Sequence, residues 1–372
     1  MRYGIDARLL AYQTGGIPTY IRRLSRGLCE TALGRDEAVT VFQSRRSPKR
    51  VESSRRCEVR RLWTPPHHVL EEWALGIELA MVPLDLIHSP DFIPPFRRRC
   101  PAVITVHDLD FLRSPETKTP DSLRYYGQIG RAVDDAEGII SVSETTARDL
   151  TDLLGVDRGR VHVVYHGIGE AFRPLDDHSA VDEFCRSRGL PPQFVLWVGT
   201  IEPRKNLQCL FQAMSGVVDH LPESKAHLVL VGPRGWGTGP IDAAFERSGL
   251  ADRTTFFGPA NENELVLLYN AAWVFAFPST YEGFGLPPLE AMACGTPVVA
   301  SSAPALPEVL SDAALFFDPH DPDQLGAALM RVAEDGGLAT RLAASGISRA
   351  AQFRWADTAS RTLDVYRTVV GR

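Results

Sequence analysis

The amino-acid sequence predicts an α/β protein with two doubly wound, mainly parallel sheets. The chain has 372 residues, whereas single domains usually contain about 100–200 residues, so we expect two domains. Short β-branched or aromatic runs recur along the chain and are typical of buried parallel strands. Stretches with helical spacing separate these runs, which is the alternation found where helices connect parallel strands.

The elements follow one another from the first residues to the last. The strand-like runs are Met1–Asp6, Ala102–Val106, Val161–Tyr165, Phe194–Val198, Leu228–Val231 and Ala314–Phe317. The stretches with helical spacing are Asp121–Asp135, Lys205–Val218, Glu262–Ala272, Asp321–Val332 and Trp355–Val370. This order predicts two successive β/α series rather than a helical bundle or a β-sandwich.

A polar stretch with prolines predicts where the domains meet. It runs from Arg173 to about His178 and is followed by Gly189-Leu190-Pro191-Pro192. We therefore expect an N-terminal domain over residues 1–175 and a C-terminal domain over residues 190–354. The closing helical segment, residues 355–372, follows the last strand-like run, and we expect it to cross back onto the first domain.

Composition and charge exclude several classes of protein. Hydrophobic residues make up 44% and charged residues 23% of the chain, as in an ordinary globular protein. The net charge of −6 argues against a nucleic-acid binder. The six cysteines form no Cys-x-x-Cys pair, which gives no zinc signature and no dense disulfide framework. Together with the lack of a signal peptide and of an apolar run of roughly 20 residues, this favours a cytoplasmic protein.

The loops that follow the strand-like runs contain the unusual residues. Ligands of open α/β sheets bind at the carboxyl ends of the strands, so these loops are where a site is expected. They are Gly15-Gly16, His107-Asp108, Gly199–Lys205, Gly232–Gly239 and Ser279–Glu290.

The segment Phe277–Gly295 is the most informative part of the sequence. A strand is predicted to end, a glycine-rich loop follows, and a helix with prolines in its first turn is predicted to end near Gly295. The N–H groups at such a helix start favour an anion such as a diphosphate. Glu282 and Glu290 frame the loop, and carboxylates pair well with sugar or ribose hydroxyls. The alternative is a solvated loop acid and an ordinary first-turn helix acid.

Arg204 and Lys205 follow another predicted strand end. Release of a nucleotide from a sugar leaves a diphosphate whose growing charge must be stabilised, and fixed cations provide this without a metal ion. The alternative is a solvated pair at the surface of a helix start.

The segment Glu282–Glu290 resembles the Glu-x7-Glu motif of retaining nucleotide-sugar glycosyltransferases of family 4, which have the GT-B fold. The resemblance extends to other loops. Gly15–Tyr20 is similar to the first glycine loop of the family, and Val198–Asn206 is similar to the motif whose Arg and Lys grip the diphosphate. In Thr105–Leu109, His107 occupies the place of a residue near the transferred sugar. Two segments, Ile87–Pro90 and Thr105–Leu109, make the chain most similar to the bacterial mannosyltransferase-like members of the family.

The resemblance implies two Rossmann-like domains that face each other across a cleft, with the acceptor bound mainly by the first domain and the donor mainly by the second. It also implies a transfer that retains the anomeric configuration. The expected reaction moves a hexose, with mannose from GDP-mannose as the first choice and UDP-sugars as the second, to a glycan or lipid-linked acceptor of polysaccharide or cell-envelope synthesis. The expected catalytic residues are His107, Arg204, Lys205 and Glu282. The expected donor-binding residues are Gly15, Gly16, Gly199, Phe284, Gly285, Leu286 and Glu290. No metal ion or other cofactor is expected.

Two weaker patterns have alternative interpretations. Asp108-Leu109-Asp110 could be an Asp-x-Asp metal site, but three residues are a weak signal and the cation pair already offers charge neutralisation. A basic region could be a solvated surface or a contact with anionic lipid at the inner face of the cell membrane. It consists of Arg45-Arg46, Lys49-Arg50, Arg55-Arg56, Arg60-Arg61 and Arg97–Arg99.

Two other functions remain open at this stage, and a third is disfavoured. A nucleotide-sugar 2-epimerase shares the two-domain architecture and the phosphate grip. A non-catalytic nucleotide-sugar binding protein would keep the pocket without turnover. A nicotinamide dehydrogenase is disfavoured, because Gly235–Pro240 places a proline where the Gly-x-Gly-x-x-Gly fingerprint requires its last glycine.

Overall fold

A computed structural model describes residues 1–12, 16–31, 33–48, 51, 53–66, 71–115, 120–221 and 225–371. The chain divides into two compact units: unit 1 comprises Met1–Gly167 and Arg354–Arg372, and unit 2 comprises Ile168–Phe353. Residues 168–175, which the sequence assigned to the N-terminal domain, belong to unit 2. The backbone N–H of Ile168 donates to the Phe353 carbonyl (3.0 Å), and that of Leu175 donates to the Asn270 side chain (2.9 Å).

Each unit contains one parallel sheet, and the α/β, doubly wound class predicted from the sequence is confirmed. The strands of unit 1 are β1 Arg2–Asp6, β2 Ala38–Ser44, β3 Cys57–Leu62, β4 Leu86–Ser89, β5 Ala102–Val106, β6 Gly138–Ser141 and β7 Val161–Val163. Those of unit 2 are β8 Val195–Val198, β9 Leu228–Val231, β10 Thr254–Gly258, β11 Val274–Phe277, β12 Val298–Ser301 and β13 Leu315–Phe317. The strand orders are β3-β2-β1-β4-β5-β6-β7 and β10-β9-β8-β11-β12-β13.

Helices connect these strands. They are α1 Gly16–Glu30, α2 Glu71–Ala80, α3 Asp110–Arg113, α4 Pro120–Tyr126, α5 Ile129–Asp135, α6 Glu144–Leu154, α7 Ser179–Ser187, α8 Leu207–Val217, α9 Gly239–Ser248, α10 Glu262–Ala271, α11 Leu286–Ala293, α12 Leu306–Leu310, α13 Pro322–Glu334, α14 Gly336–Ala350 and α15 Trp355–Val370. Over the described part of the chain, no helix has both the length and the apolar character needed to cross a bilayer.

The helical stretch expected over Asp121–Asp135 is two helices rather than one. The structure ends α4 at Tyr126 and begins α5 at Ile129. The break falls at Gly127, because glycine loses more conformational freedom in a helix than other residues do. Periodicity alone did not reveal this break, since the apolar spacing continues through it.

Alternate residues of each strand face opposite sides of the first sheet. Tyr3 and Ile5 pack on one side in a core shared with α1 and α15. Ile104 and Val106 pack on the other side in a core shared with α5 and α6. Helices therefore cover both faces of this sheet, which is why its strands read as continuous apolar runs.

The C-terminal helix α15 belongs to unit 1. Leu363 and Tyr366 are buried in the core of that unit. The Tyr366 hydroxyl lies 2.6 Å from Nδ1 of His88. At the edge, the Arg367 guanidinium pairs with the Glu37 carboxylate at 2.8 Å. The last segment of the chain thus completes a core that the first 167 residues leave open.

One disulfide joins Cys29 at the end of α1 to Cys57 at the start of β3, with the two Cα atoms 5.2 Å apart. This pairing was not predicted, because the two cysteines are separated by 28 positions and form no short spacing pattern. The other four cysteines, Cys100, Cys185, Cys209 and Cys294, are free thiols. One cross-link is not the dense disulfide framework that the sequence argued against.

Both strand orders reverse at one point, between β1 and β4 in unit 1 and between β8 and β11 in unit 2. The connections from the two central strands there leave in opposite directions, which opens a crevice at the carboxyl ends of the strands. The loops that follow these four strands are therefore where functional side chains are expected.

Candidate active site

The loops after β8 and β11 form the site in unit 2. Arg204 and Lys205 lie in a short 3-10 turn after β8, and Glu282 lies in the loop after β11. Since β8 and β11 are neighbours in the sheet, the two loops start side by side. Residues that are 77 positions apart in the sequence thereby come into contact.

Backbone and amide hydrogen bonds hold the two loops together. The Thr280 N–H donates to the Arg204 carbonyl at 2.9 Å. The Arg204 guanidinium donates to the Tyr281 carbonyl at 2.9 Å. The Asn206 side-chain amide donates to the Pro278 carbonyl at 3.0 Å. Asn206, which was not predicted as a functional residue, thus helps to fix the relative position of the two loops.

Glycines allow a third loop to pack against the loop after β8. Gly232 has φ = +137°, and a Cβ there would lie only 1.8 Å from the Gly199 carbonyl oxygen. The Gly199 N–H donates to the Val231 carbonyl at 2.9 Å, and the Ile201 N–H donates to the Pro233 carbonyl at 2.9 Å. Gly199, predicted as a donor-binding residue, therefore has a close backbone approach to the end of β9. Its contact with a donor stays a prediction.

Four charged side chains form a buried cluster. Lys205 Nζ lies 2.6 Å from Glu282 Oε1, and Arg204 Nη1 lies 3.0 Å from Glu282 Oε2. Arg204 Nη2 also lies 3.0 Å from Glu202 Oε1. The structure thus brings together three of the predicted catalytic residues and adds Glu202, which we did not predict. We had expected Glu282 to face sugar hydroxyls, whereas both of its oxygens form ion pairs with the cations.

The cluster contains two cations and two carboxylates, so its formal charges cancel. Burial raises the pKa of the Glu282 carboxyl, but the charges of Lys205 and Arg204 outweigh this effect and lower that pKa to about 2. Burial and the nearby Arg204 lower the pKa of the Lys205 ammonium, while the contact with Glu282 counteracts this. The carboxylate therefore holds two cations in fixed positions.

Helix α11 begins beside this cluster. Gly285 precedes it with φ = +100°, and a Cβ there would lie 2.6 Å from Leu306 Cδ2. Leu286 is the first helical residue, and prolines fill the first turn as the sequence predicted. Phe284 is buried and packs edge-on against Phe353, with ring centroids 5.8 Å apart. The orphan N–H groups of α11 point the positive end of the helix toward the loop that carries Glu282.

Glu290 lies one turn inside α11 and has a different neighbour. The Tyr269 hydroxyl donates a hydrogen bond to Glu290 Oε2 at 3.0 Å. Burial, together with the Glu290 charge, raises the pKa of Tyr269 well above its usual value, so the phenol remains protonated. This donor orients the Glu290 carboxylate, and its contact with a ribose stays a prediction.

The remaining predicted residues lie in unit 1. His107 follows β5, and its Nε2 atom lies 2.9 Å from the Pro90 carbonyl oxygen. Its ring stacks on His166 (5.5 Å between centroids) and meets Tyr20 edge-on (4.9 Å). Gly16 is the first residue of α1, and space is open where its Cβ would be. Gly15 lies outside the described residues.

A second histidine of unit 1 has a purely structural environment. His88 Nε2 lies 2.8 Å from the Thr105 hydroxyl, and its Nδ1 is held by Tyr366. Burial lowers the pKa of His88 to about 3, so the ring is neutral at pH 7. This satisfied core histidine contrasts with His107, which lies in a strand-end loop.

The Asp-x-Asp pattern has a local structural role. The Asp110 N–H donates to Asp108 Oδ1 at 3.2 Å, so the Asp108 side chain makes a local hydrogen bond to the first residue of α3. Within the described ranges, no group of three or more His, Cys, Asp or Glu side chains is placed to hold one metal ion.

Comparison with known proteins places both halves of the chain in one group. The family model described as "Glycosyltransferase Family 4" matches residues 14–171. The model described as "Glycosyl transferases group 1" matches residues 185–349. An "O-antigen chain mannosyltransferase B" of Escherichia coli is 31% identical over 283 residues, which cover 76% of this chain and 74% of that protein.

Solved structures share the fold at lower identity. A sucrose-phosphate synthase from Thermosynechococcus elongatus is 24% identical and covers 100% of this chain and 99% of its own, with a TM-score of 0.80. The Anabaena protein HepE, crystallised with UDP and glucose, is 20% identical and covers 99% of this chain and 100% of its own, with a TM-score of 0.75.

Proposed function

The chain belongs to the group 1, or family 4, glycosyltransferases, and we propose that it transfers a hexose, with mannose as the first choice, from a nucleotide-diphosphate sugar to a glycan or lipid-linked acceptor. Membership of the family makes it a hexosyltransferase. The relative that acts on O-antigen chains supports a role in polysaccharide synthesis. The expected stereochemical outcome is retention.

One observation supports donor binding in unit 2 more than any other. Arg204 and Lys205 contact Glu282, which precedes the start of α11 by four residues, at the switch point of the second sheet. A diphosphate there would meet two cations and the N–H groups of a helix start. Because Glu202 and Glu282 already hold the cations, little reorganisation is needed when charge develops on the leaving phosphate. In this proposal, the main role of Glu282 is therefore to position Lys205 and Arg204.

The donor is tested by ligand-induced stabilisation. GDP-mannose is the first candidate, and UDP-glucose is the second because the HepE crystal contained UDP and glucose. A ligand at about 100 times its Kd stabilises a protein by roughly 2.7 kcal/mol, which is visible as a rise in Tm. A chain that neither nucleotide sugar stabilises, and that transfers no sugar to mannosides or glucosides, would not have the proposed function.

Product analysis separates transfer from epimerisation. A transferase forms a glycoside only when an acceptor is present, and NMR of that glycoside reports the anomeric configuration. An epimerase would convert the nucleotide sugar without any acceptor. The same assay tests metal independence: we expect full activity in EDTA, and a loss that manganese restores would contradict this expectation.

We also propose that an aromatic–basic surface of unit 1 contacts anionic lipid at the cytoplasmic face of the membrane. Four large apolar side chains there are well exposed: Trp63 (73%), Trp73 (56%), Ile77 (68%) and Met81 (81%). Trp73 and Ile77 lie four residues apart on α2, and Met81 follows the end of that helix with the same spacing, so their side chains project in one direction. Trp63 is adjacent to α2, because its N–H donates to Glu78 of that helix at 2.8 Å.

Two arginines complete this surface. The Arg45 guanidinium lies 3.6 Å from the centre of the Trp63 ring, and that of Arg97 lies 3.0 Å from the centre of the Trp73 ring. Tryptophan favours the membrane interface, and each basic residue near anionic lipid contributes about 1 kcal/mol.

Other members of the basic region have structural roles. Arg56 donates to the Leu33 carbonyl, and Arg61 donates to the Arg45 carbonyl. Arg98 is mostly buried between Asp135 and Glu137. Lys49 and Arg50 are not among the residues that the structure describes. The lipid contact therefore depends on fewer arginines than the sequence suggested.

Sedimentation with liposomes tests this surface. We expect the chain to sediment with vesicles that contain phosphatidylglycerol and less with pure phosphatidylcholine. Trp73→Ala combined with Ile77→Ser should reduce binding about tenfold, whereas Trp236→Ala, at an exposed tryptophan of unit 2, should not. Equal sedimentation with both kinds of vesicle, or no effect of the double substitution, would exclude this surface.

A further inference from the structure

Four rings from distant parts of the chain pack together in unit 1. They are the side chains of Tyr20 in α1, His107 after β5, His166 after β7 and Trp355 at the start of α15. The ring centroid of His166 lies 5.5 Å from that of His107 and 4.8 Å from that of Tyr20. Trp355 lies 6.0 Å from both His166 and Tyr20. We call these four residues the ring cluster; only His107 was predicted as functional.

The hydrogen bond of His107 defines which ring nitrogen carries the proton. Nε2 lies 2.9 Å from the Pro90 carbonyl oxygen, which can only accept, so Nε2 is the donor. In the neutral ring, Nδ1 then has no proton and can accept a hydrogen bond. A half-turn of the ring would put a carbon in place of Nε2 and lose the bond to Pro90. The function of His107 therefore depends on a fixed ring orientation.

One hydrogen bond fixes a point of the His107 ring but not its plane, because the ring can still rotate about Nε2. The face of His166 and the edge of Tyr20 provide the missing contacts. His166 stacks on His107 with 27° between the ring planes, and Tyr20 meets it edge-on at 83°. Both arrangements are preferred geometries of aromatic pairs. Together with Pro90, these two rings fix the His107 side chain in both position and orientation.

Other contacts hold the two supporting rings. The Tyr20 hydroxyl lies 3.2 Å from the Thr105 hydroxyl, which belongs to β5. Trp355 packs against His166, and Gly167 allows the chain to pass directly beside Trp355. A Cβ at Gly167 would lie only 2.2 Å from the Trp355 backbone nitrogen, so no other residue fits there. The start of α15 thus supports the ring that supports His107.

The His166 ring is buried and uncharged. Its exposed fraction is 5%, and burial lowers the pKa of His166 well below its usual value, with His107 adding to this effect. A neutral ring can remain stacked on His107 whether or not His107 takes up a proton. A second cation would instead repel a protonated His107 at this distance. The stack is therefore compatible with both protonation states of His107.

We propose that His166 is a positioning residue for sugar transfer: it fixes the plane of the His107 ring and thereby the direction of Nδ1, while Tyr20 and Trp355 hold the stack. This inference rests on the proposed function, in which His107 is one of the catalytic residues. His166 acts through His107 and does not itself touch a substrate. Since an aromatic face is what the stack requires, phenylalanine can replace His166 in this role, whereas leucine cannot.

Kinetics of the full chain test the proposal with the nucleotide sugar that supports transfer to a mannoside or glucoside. His166→Leu should lower kcat by about tenfold to 100-fold, because small displacements of a catalytic group have effects of this size. The donor KM should change by less than about threefold, because the diphosphate grip in unit 2 is intact. His166→Phe keeps the aromatic face and should keep kcat within about threefold. A residue with only a structural role would show the same loss, or none, in both variants.

A double-mutant cycle shows whether His166 acts through His107. In a chain that already carries His107→Ala, His166→Leu should change kcat by less than about twofold, because the residue that it positions is absent. His227→Leu is the control in unit 2. His227 also bonds a hydroxyl, that of Thr255 at 2.8 Å, but it precedes β9 and lies away from the carboxyl ends of the strands. Its replacement should keep kcat within about twofold, even where it lowers Tm.

NMR of the histidine-labelled chain tests the arrangement without any activity. At about pH 8, where an ordinary imidazole is neutral, the nitrogen signals of His107 should show the proton on Nε2 alone. In His166→Leu they should show a mixture of the two tautomers, and His107→Phe identifies the signals by removing them.

Three results would overturn the proposal: an unchanged kcat in His166→Leu, an unchanged kcat in His107→Ala, or full additivity of the two substitutions. If the unmodified chain transfers sugar and any of these results is found, the positioning role is wrong and the proposed function stands. If the unmodified chain transfers no sugar from any nucleotide sugar, the proposed function fails, and the catalytic role of the ring cluster fails with it.

Discussion

The residue types at the strand ends were enough to predict where the candidate site lies. They did not predict which of its charged side chains pair with each other. Arg204, Lys205 and Glu282 follow two strands that are neighbours in the sheet, and they do meet. Glu202 was missed, because an acid two positions before a basic pair is common on solvated surfaces. Its burial depends on how the loop folds over Arg204. Local sequence therefore located the cations, whereas the geometry of two loops decides which acid neutralises them.

Lys205→Met tests whether the buried lysine serves the donor. Removal of one preorganised cation should lower kcat by about 100- to 1000-fold, because the charge on the leaving diphosphate loses a fixed partner. It should also lower the free energy of unfolding by about 3 kcal/mol, because Glu282 loses one partner of a buried pair. Steady-state kinetics, corrected for the folded fraction, measures the first effect and urea unfolding measures the second.

Lys225 provides the matched control in unit 2. Its ammonium donates to the Ala333 carbonyl and lies 5.3 Å from the centre of the Trp273 ring, away from the candidate site. Lys225→Met should keep the kcat of the unmodified enzyme. A similar loss of kcat in both lysine variants would show that Lys205 acts only through stability.

Glu37 is expected to make stability depend on acid pH. The hydrogen bond from Arg367 is the main reason that the pKa of Glu37 falls from 4.5 to about 2. A pKa that is lower in the folded state stabilises the fold above pH 4.5, and this contribution is lost as the pH falls toward 2. Glu37→Gln should reduce the free energy of unfolding by about 1 kcal/mol at pH 7, with a difference that shrinks below pH 4.5.

Urea unfolding at several pH values measures this dependence. Asp364→Asn is the control, because it removes an exposed partner of the same arginine and leaves Glu37 in place. Its effect should be within about 0.5 kcal/mol at every pH. A constant difference between Glu37→Gln and the unmodified chain from pH 7 to pH 3 would contradict the assigned pKa.

Strands with continuous β-branched runs were predicted well, while breaks and caps depended on single residues. The runs Ala102–Val106 and Leu228–Val231 are strands with those same bounds. The helix that follows the glycine loop was also predicted, because prolines are tolerated only in its first turn. The interruption at Gly127 was missed, since one glycine does not change the apolar spacing around it. The local sequence thus determines most helices and strands, whereas tertiary packing determines where they end.

Gly285→Ala should misplace the start of α11. A side chain at φ = +100° is strained, and its Cβ would lie 2.6 Å from Leu306 Cδ2. We expect the free energy of unfolding to fall by about 2 kcal/mol and the donor Kd to rise at least tenfold, because the N–H groups of the helix start would move. Urea unfolding and titration with the nucleotide sugar measure these effects.

Gly239→Ala is the control at another helix start of unit 2. Space is open around the Cβ position of Gly239, and its φ is not in the left-handed region. Alanine has a higher helix propensity than glycine, so stability should stay the same or rise by up to about 1 kcal/mol. If both alanine variants bind the donor like the unmodified chain, the backbone at Gly285 does not position the diphosphate site.

The architecture of the whole molecule followed from the sequence, whereas the cavity at the switch point of the first sheet did not. Two β/α series predicted two doubly wound units, and the structural relatives confirm the GT-B class. The cavity could not be anticipated, because Asp6, Ser89 and Tyr125 are far apart in the sequence and carry no shared motif. They meet because β1 and β4 are neighbours in a sheet whose order reverses there. Long-range strand order thus brings together side chains that no local pattern connects.

The return of α15 to unit 1 makes the stability of the first sheet depend on the last residues of the chain. Leu363 of α15 is 1% exposed in the core of unit 1, and Leu210 of α8 is fully buried in unit 2. Each leucine-to-alanine change should cost about 2–5 kcal/mol, because it leaves a cavity. Amide hydrogen exchange should then quicken in β1, β4 and β6 for Leu363→Ala, and in β8, β9 and β11 for Leu210→Ala. If Leu363→Ala quickens exchange equally in both sheets, the units do not open separately, and α15 stabilises the molecule as one cooperative body.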